Sequence, residues 1–271
     1  MLSGITIGQF FPGNSLLHRM DARIKLVLTF AYIAAVFIPR NWAGLAVAVG
    51  FLIFTILLSR LPAKLVLKSI KPILPIIIFT SALNIFYVTD GTPLFDWAFI
   101  HITTQGLTTA AFIAIRIISL IAGSSLLTYT TSPTTLTDAL ERLLSPLKAV
   151  RLNVHELAMM MTIALRFIPT LIEETDKIMS AQKARGADLE SGSLMQRIRA
   201  LIPILIPLFV SSFRRAYELA TAMECRCYRG GEGRTRMKQM HMRAFDIVCI
   251  AVVVLMAAGL IVLNFVLPPV I

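Results

Sequence analysis

Residues 200–213, ALIPILIPLFVSSF, decide how the rest of the chain is read, because they tempt assignment as a membrane crossing. The run is fourteen residues long, contains Pro203 and Pro207, and is bounded by Arg197, Arg199, Arg214 and Arg215. A transmembrane helix needs about 20 consecutive apolar residues. The segment is therefore read as an apolar helix lying along or under the membrane. Such a helix must bury its face on neighbouring helices, the bilayer interface or another subunit.

The surrounding sequence leaves no doubt that a membrane is present. Of 271 residues 56% are hydrophobic and only 15% charged, and the mean hydropathy is +0.77, far above a soluble domain. Apolar runs that approach bilayer thickness occupy 22–38, 42–58, 70–87, 105–128 and 245–267. The sequence thus predicts an all-α integral membrane protein with about five transmembrane helices. The first run is short unless Lys25 snorkels, and Pro39-Arg40-Asn41 reads as the tight turn joining it to the second. The first twenty residues lack the pattern of a cleaved secretory signal.

The net charge of +11 would point to nucleic acid in a soluble protein, but here it marks loops. Arg19, Arg23 and Lys25 precede the first run, and Arg60, Lys64, Lys68 and Lys71 lie between the second and third. Residues 131–243 carry most of the remaining Lys and Arg, and no basic residue follows Arg243. By the positive-inside rule the amino terminus is cytoplasmic and the carboxyl terminus outside. The organisation is then 1–130, four transmembrane helices; 131–243, a cytoplasmic coupling region; and 244–271, the last transmembrane helix.

Three amphipathic helices are read within 131–243. The first starts at Ser132 as N-cap with Pro133 at the first helical position, and places Leu136, Leu140, Leu143, Leu144 and Leu147 on one face, with Pro146 ending it. The second starts near Asn153, with Glu156 at capping-box spacing, bends at Pro169 and stops at Gly186. The third starts near Ser193, with Gln196 at the same offset, and runs to Tyr228 and Gly230.

Catalytic and metal chemistry find little support. Cys225 and Cys227 lack a second cysteine pair, and His18, His101, His155 and His241 are scattered singly, so no metal site is read. Gly230-Gly231-Glu232-Gly233 has no preceding strand and no GK[ST], so this chain binds no ATP. The acidic residues Glu173, Glu174 and Asp176 read as a solvated helix face. Arg116, in the middle of the fourth span, is costly there and implies a structural pairing with an acid that the sequence does not name; Asp90 and Asp96 fall toward the outer side and Asp246 near the inner one.

Two similar elements remain. QKARGADLE places Ala184-Arg185-Gly186 at the end of the second amphipathic helix, and MECRCYRGG places Cys225-Arg226-Cys227 at the end of the third. Each presents an arginine between small side chains, which let a partner backbone approach while the guanidinium offers a planar fork of donors. The plainer reading is that both arginines compensate helix dipoles. Nine of the twelve methionines lie in 131–243, which suits a surface accepting several partners or ordinary core packing. Ala181, Ala184, Ala216 and Ala220 would permit close helix crossing there.

The blocks LLHRMDARIKL (16–26), TTSPTTLTDALERLLSPLK (130–148), LRFIPTLIEETDKIMSAQKARGADLESGS (165–193) and LFVSSFRRAYELATAMECRCYRGGEGRTR (208–236) resemble the transmembrane T component of energy-coupling factor (ECF) transporters, which import vitamins and metal ions. The resemblance implies a non-catalytic subunit that joins two cytoplasmic ATPases to a small membrane S component. In that family the alanine-arginine-glycine motifs dock in grooves of the ATPases, one motif each, so Arg185 would occupy one groove and Arg226 the other. ATP and magnesium would belong to the ATPases, and the S component would tilt to release substrate inward. The second motif departs from the family pattern, having cysteine where alanine and glycine are usual. Cys227 in place of glycine implies an ordinary backbone conformation there, with a roomier groove or a helix that continues through it. The competing readings are an ordinary ABC importer permease, which predicts polar residues at membrane depth and one docking element, and a membrane enzyme, which no motif supports.

Overall fold

A computed structural model of the chain describes residues 10–88, 92–97, 100–146, 153–187, 193–230 and 241–268. Leu147, Asp90 and residues 231–233 lie outside them. The elements run α1 (Leu16–Arg19), α2 (Ala22–Phe37), α3 (Trp42–Ser59), α4 (Ala63–Ile70), a 3-10 turn (Lys71–Ile73), α5 (Leu74–Tyr87), β1 (Pro93–Trp97), β2 (Ile100–Thr103), α6 (Thr104–Thr130), α7 (Pro133–Leu143), α8 (Val154–Ala184), α9 (Leu194–Cys225) and α10 (Ala244–Val266). Two compact units result, one made of Gln9–Ala139 with Gln239–Ile271, the other built on Leu140–Lys238.

The all-α class holds, with one addition. An antiparallel hairpin pairs Trp97 with Ile100 and Pro93 with Thr103, with an irregularity between Pro93 and Phe95. The apolar third run is preceded by its own amphipathic helix α4; Pro72 and Pro75 sit at the start of the 3-10 turn and of α5, where a missing N–H does no harm. Among the described residues six helical stretches are long and apolar enough to cross a membrane: Trp42–Ser59, Ala63–Tyr87, Thr104–Thr130, Val154–Ala184, Ile198–Cys225 and Ala244–Val266. By length and composition the candidates number six against the expected five or so, and the all-α membrane class stands. The run at 200–213 is not an isolated segment but part of a continuous 32-residue helix that absorbs Pro203 and Pro207, whereas α2, at 16 residues, is shorter than the six.

In the first unit the core forms around α6. Tyr32, Val36, Ala48, Leu52, Leu126, Tyr129 and Leu260 are buried together, and Gly123 lets α2 and α6 approach, since a Cβ there would come within 2.5 Å of the Tyr32 ring. Outward-facing side chains are large and apolar, with Phe30, Phe79 and Leu255 among those exposed. That inversion of soluble patterning is what a lipid solvent requires.

Two polar layers close this unit. At one end Asp246 is fully buried and accepts from the backbone N–H groups of Asp21 (3.3 Å) and Arg243 (2.8 Å), while Lys25 Nζ donates to Thr130 O and Thr131 Oγ1, both at 3.1 Å. Lys25 therefore does not snorkel to water; it ties the start of α2 to the end of α6. At the other end Asn264 Nδ2 donates to Ile38 O (2.6 Å), Asn41 Nδ2 donates to Leu263 O (2.9 Å), and Asn41 Oδ1 caps α3 through Gly44 N–H (2.7 Å).

Arg116 belongs to this second layer. Its Nη2 donates to Pro39 O and its guanidinium lies 4.8 Å from the Phe112 ring centroid. The spacing from Lys25 to Pro39 equals that from Arg116 to Thr130, about 21 Å at 1.5 Å per residue. Arg116 is central in α6 by count yet level with the α2–α3 turn, and α6 continues roughly 18 Å beyond it. The expected acidic partner is absent among the described residues; a turn carbonyl and an aromatic face take its place, and Nε is buried without a partner.

Candidate docking site

The second unit is dominated by α8 and α9. Ser132 caps α7 as expected, its Oγ accepting from Thr135 N–H at 3.3 Å. Ser193 and Gln196 complete a capping box, with Ser193 N–H donating to Gln196 Oε1 at 2.9 Å. Asn153 departs from the expectation. Its amide donates to Glu156 Oε2 at 3.1 Å and makes no side-chain cap to the backbone. His155 Nδ1 pairs with Glu141 Oε1 at 2.9 Å, joining α7 to the start of α8.

α8 and α9 run antiparallel. Gln182 Nε2 donates to Pro203 O (3.3 Å), Glu174 accepts from Ser211 Oγ and from Arg215 Nη2 (2.6 Å), and Tyr228 OH donates to Met159 Sδ (3.1 Å). As numbers rise along α8 they fall along α9. Glu174 is thus an interhelical acceptor rather than part of a solvated face. The signal missed in sequence was an acid and an arginine on different helices, which no local spacing reveals. Ala181, Ala184, Ala216 and Ala220 are all exposed, so they do not form the α8–α9 crossing.

Both helices end in the same turn. Arg185 is the C-cap of α8, Gly186 N–H donates to Lys183 O (2.9 Å) and Ala187 N–H donates to Gln182 O (3.0 Å). Arg226 is the C-cap of α9, Cys227 N–H donates to Glu224 O (2.8 Å) and Tyr228 N–H donates to Met223 O (3.1 Å). These paired bonds define a Schellman motif, whose residue after the C-cap takes a left-handed conformation. Gly186 does so at φ +88°, and Cys227 at φ +54°.

This overturns the expected backbone at Cys227. The helix neither continues through it nor extends to Tyr228 and Gly230, because closing the last turn on Met223 and Glu224 requires positive φ at that position whatever the side chain. Cysteine accepts a strain that glycine avoids, on the order of 1 kcal/mol. The two motifs are therefore alike in backbone and differ only in side chains.

Ala184, Arg185, Gly186, Cys225, Arg226 and Cys227 are all exposed. No atom lies within 4 Å of a Cβ built on Gly186, so the space beside it is open. Because Gln182 meets Pro203 near the start of α9, Arg185 and Arg226 project from opposite ends of the helix pair. They stand roughly 35 Å apart along α9. No single groove of ordinary size reaches both. Beside Arg226 a cavity of about 520 Å³ is lined by Met159, Met223, Cys227 and Arg229 among others. Between the ends, α9 exposes Ile202, Ile206, Phe209, Val210, Phe213 and Tyr217, an apolar face available for a partner or lipid.

Among the described residues no group of three or more His, Cys, Asp and Glu side chains is arranged to hold a metal ion. Arg116 lies in the other unit and is not part of this site.

The sequence matches the family of cobalt transport proteins designated CbiQ over residues 13–237. It is 52% identical over 266 residues to the energy-coupling factor transporter transmembrane protein EcfT of Ruminiclostridium cellulolyticum, covering 98% of this chain and 99% of the relative. It is 53% identical over 250 residues to the EcfT of Clostridium kluyveri, covering 92% of each. Identity to the EcfT of Bacillus subtilis is 45% over 258 residues, covering 95% of this chain and 97% of that one.

Proposed function

Because this chain belongs to the CbiQ cobalt transport protein family, and within it to the multi-pass EcfT transmembrane components of energy-coupling factor transporters, we propose that it couples ATP hydrolysis on two partner ATPases to movement of a substrate-binding S component. Arg185 engages one ATPase and Arg226 the other. The observation that carries this reading is the duplication of one arginine-capped, exposed helix end at opposite ends of an antiparallel pair.

An exposed guanidinium on a Schellman turn presents its donors past a backbone with no bulk in front of it, which suits insertion into a groove bearing carboxylates or helix-end carbonyls. When nucleotide closes the two ATPases, their grooves approach and draw the two helix ends with them. The Glu174 contacts to Ser211 and Arg215 join the helices between those ends, so displacement passes to the exposed apolar face of α9. The S component rests on that face and tilts as it moves.

In this arrangement the amino terminus is cytoplasmic and the carboxyl terminus outside, in keeping with the basic residues before α2 and their absence after Arg243. α8 and α9 lie at the cytoplasmic membrane surface. This chain binds neither ATP nor magnesium, which reside on the partners. The test is uptake by proteoliposomes holding this chain and its two ATPases, with and without an S component. Uptake that requires the S component is expected; ATP-driven uptake without it would make this chain a permease with its own substrate pathway.

A further inference from the structure

A cavity of about 310 Å³ lies beside the core of the first unit, at its Lys25 end. α2, α3, α6 and α10 all contribute to its wall, with Leu28, Phe51, Leu126 and Val253 among the apolar residues. The lining runs from Phe51 to Leu58 on α3 and from Phe245 to Val253 on α10, about 10–12 Å at 1.5 Å per residue. Phe54 on α3 and Val248 and Val252 on α10 line it and are also exposed. The cavity is therefore reached sideways, between α3 and α10, from the surface this unit turns to lipid. We propose that it is an acyl-chain site, which takes the end of one hydrocarbon tail of a bilayer phospholipid.

The polar side chains in the wall decide the occupant, because each is already committed within the protein. Lys25 Nζ donates to Thr130 O and Thr131 Oγ1, both at 3.1 Å, and Thr29 Oγ1 donates to Lys25 O at 2.8 Å. Thr130 Oγ1 donates to Leu126 O (2.7 Å), Thr55 Oγ1 to Phe51 O and Tyr32 OH to Ala48 O (3.5 Å). None of the buried polar atoms left unpartnered among the described residues belongs to this wall. A water molecule needs two to four polar partners to be held in a cavity, and a polar or ionic solute needs groups to replace its hydration shell. The wall offers neither.

A lipid tail needs no such partners. Tail and wall are equally apolar, so no hydrophobic driving force acts between them in the bilayer. Dispersion supplies the attraction, because an empty void leaves its lining atoms without neighbours on one side and a chain end restores them. The bound tail packs between α3 and α10 and fills the gap they leave over α2 and α6.

The test reconstitutes the full chain in nanodiscs of phosphatidylcholine carrying a photoactivatable diazirine near the end of one acyl chain, and maps the adducts by peptide mass spectrometry. Adducts on the buried residues Leu126 and Val253 are expected, besides those on outward-facing Leu255. Adducts confined to exposed residues overturn the site, whether the space is empty or filled by another part of the protein. Thr55→Phe then fills the cavity from a half-buried position whose hydroxyl bonds only within its own helix. Loss of the adducts on Leu126 and Val253 with retention of those on Leu255 is expected; adducts unchanged at all three contradict entry through this cavity. A further measurement needs no substitution, since the half-buried Cys249 lines the same wall. In the nanodisc its thiol should resist a charged thiosulfonate, and modification by that reagent would show a wet cavity and overturn the assignment.

Discussion

Gly186 and Cys227 make the residue-scale case, since one backbone requirement is met by two different side chains. Replacing Cys227 by glycine removes left-handed strain from an exposed position and should stabilise the protein by about 1 kcal/mol. Gly186→Ala should destabilise it by a similar amount through the same φ. Thermal unfolding in detergent checks both, and a lowered midpoint for Cys227→Gly would contradict the geometry. Arg116 belongs to the same scale. Its partners are a turn carbonyl and a ring, so Arg116→Met should lower stability by about 1–2 kcal/mol while leaving assembly with partners intact. Loss of assembly at unchanged stability would place it in an interface instead. Small neighbours on either side singled out the two arginines as candidates in the sequence, while spacing alone favoured plain helix-dipole compensation and only the family resemblance implied docking. Sequence alone misjudged Cys227 because cysteine carries no signal for positive φ, and only the hydrogen bonds to Met223 and Glu224 impose it.

At the scale of elements the decisive object is the α8–α9 pair. Caps at Ser132 and Ser193 were legible because side chain and backbone partner lie three residues apart. The Glu174 contacts were not, since they join positions 37 and 41 residues apart. Glu174 and Arg215 side chains retain 20% and 36% exposure, so solvent screens their attraction. A double-mutant cycle with Glu174→Ala and Arg215→Ala should give a coupling of about 0.5–1 kcal/mol. A coupling of zero would mean that apolar packing alone aligns the helices, and the proposed transmission between their ends would lose its polar link. The same long-range limit hid the place of Arg116. Its helix was read correctly over 105–128, but its depth depends on the α2–α3 turn, whose level follows from bonds between Asn41, Asn264 and the turn backbone.

Over the whole molecule, the apolar runs gave nearly the boundaries observed, because a lipid solvent leaves little freedom in where a helix begins and ends. What periodicity left undecided was the role of the two longest helices, which are apolar enough to cross a membrane yet end in exposed arginines. Their antiparallel pairing sets those ends far apart, and that separation is the geometric basis of the proposal that two partners are engaged at once. The most direct test is co-purification in detergent with the two ATPases, comparing the unaltered chain with Arg185→Glu, Arg226→Glu and the double substitution. Reversing a charge inside a docking groove should cost on the order of 2–5 kcal/mol per contact. Each single change should release a different ATPase and the double change both. A double variant that still binds both ATPases and supports transport would show that these arginines only terminate helices.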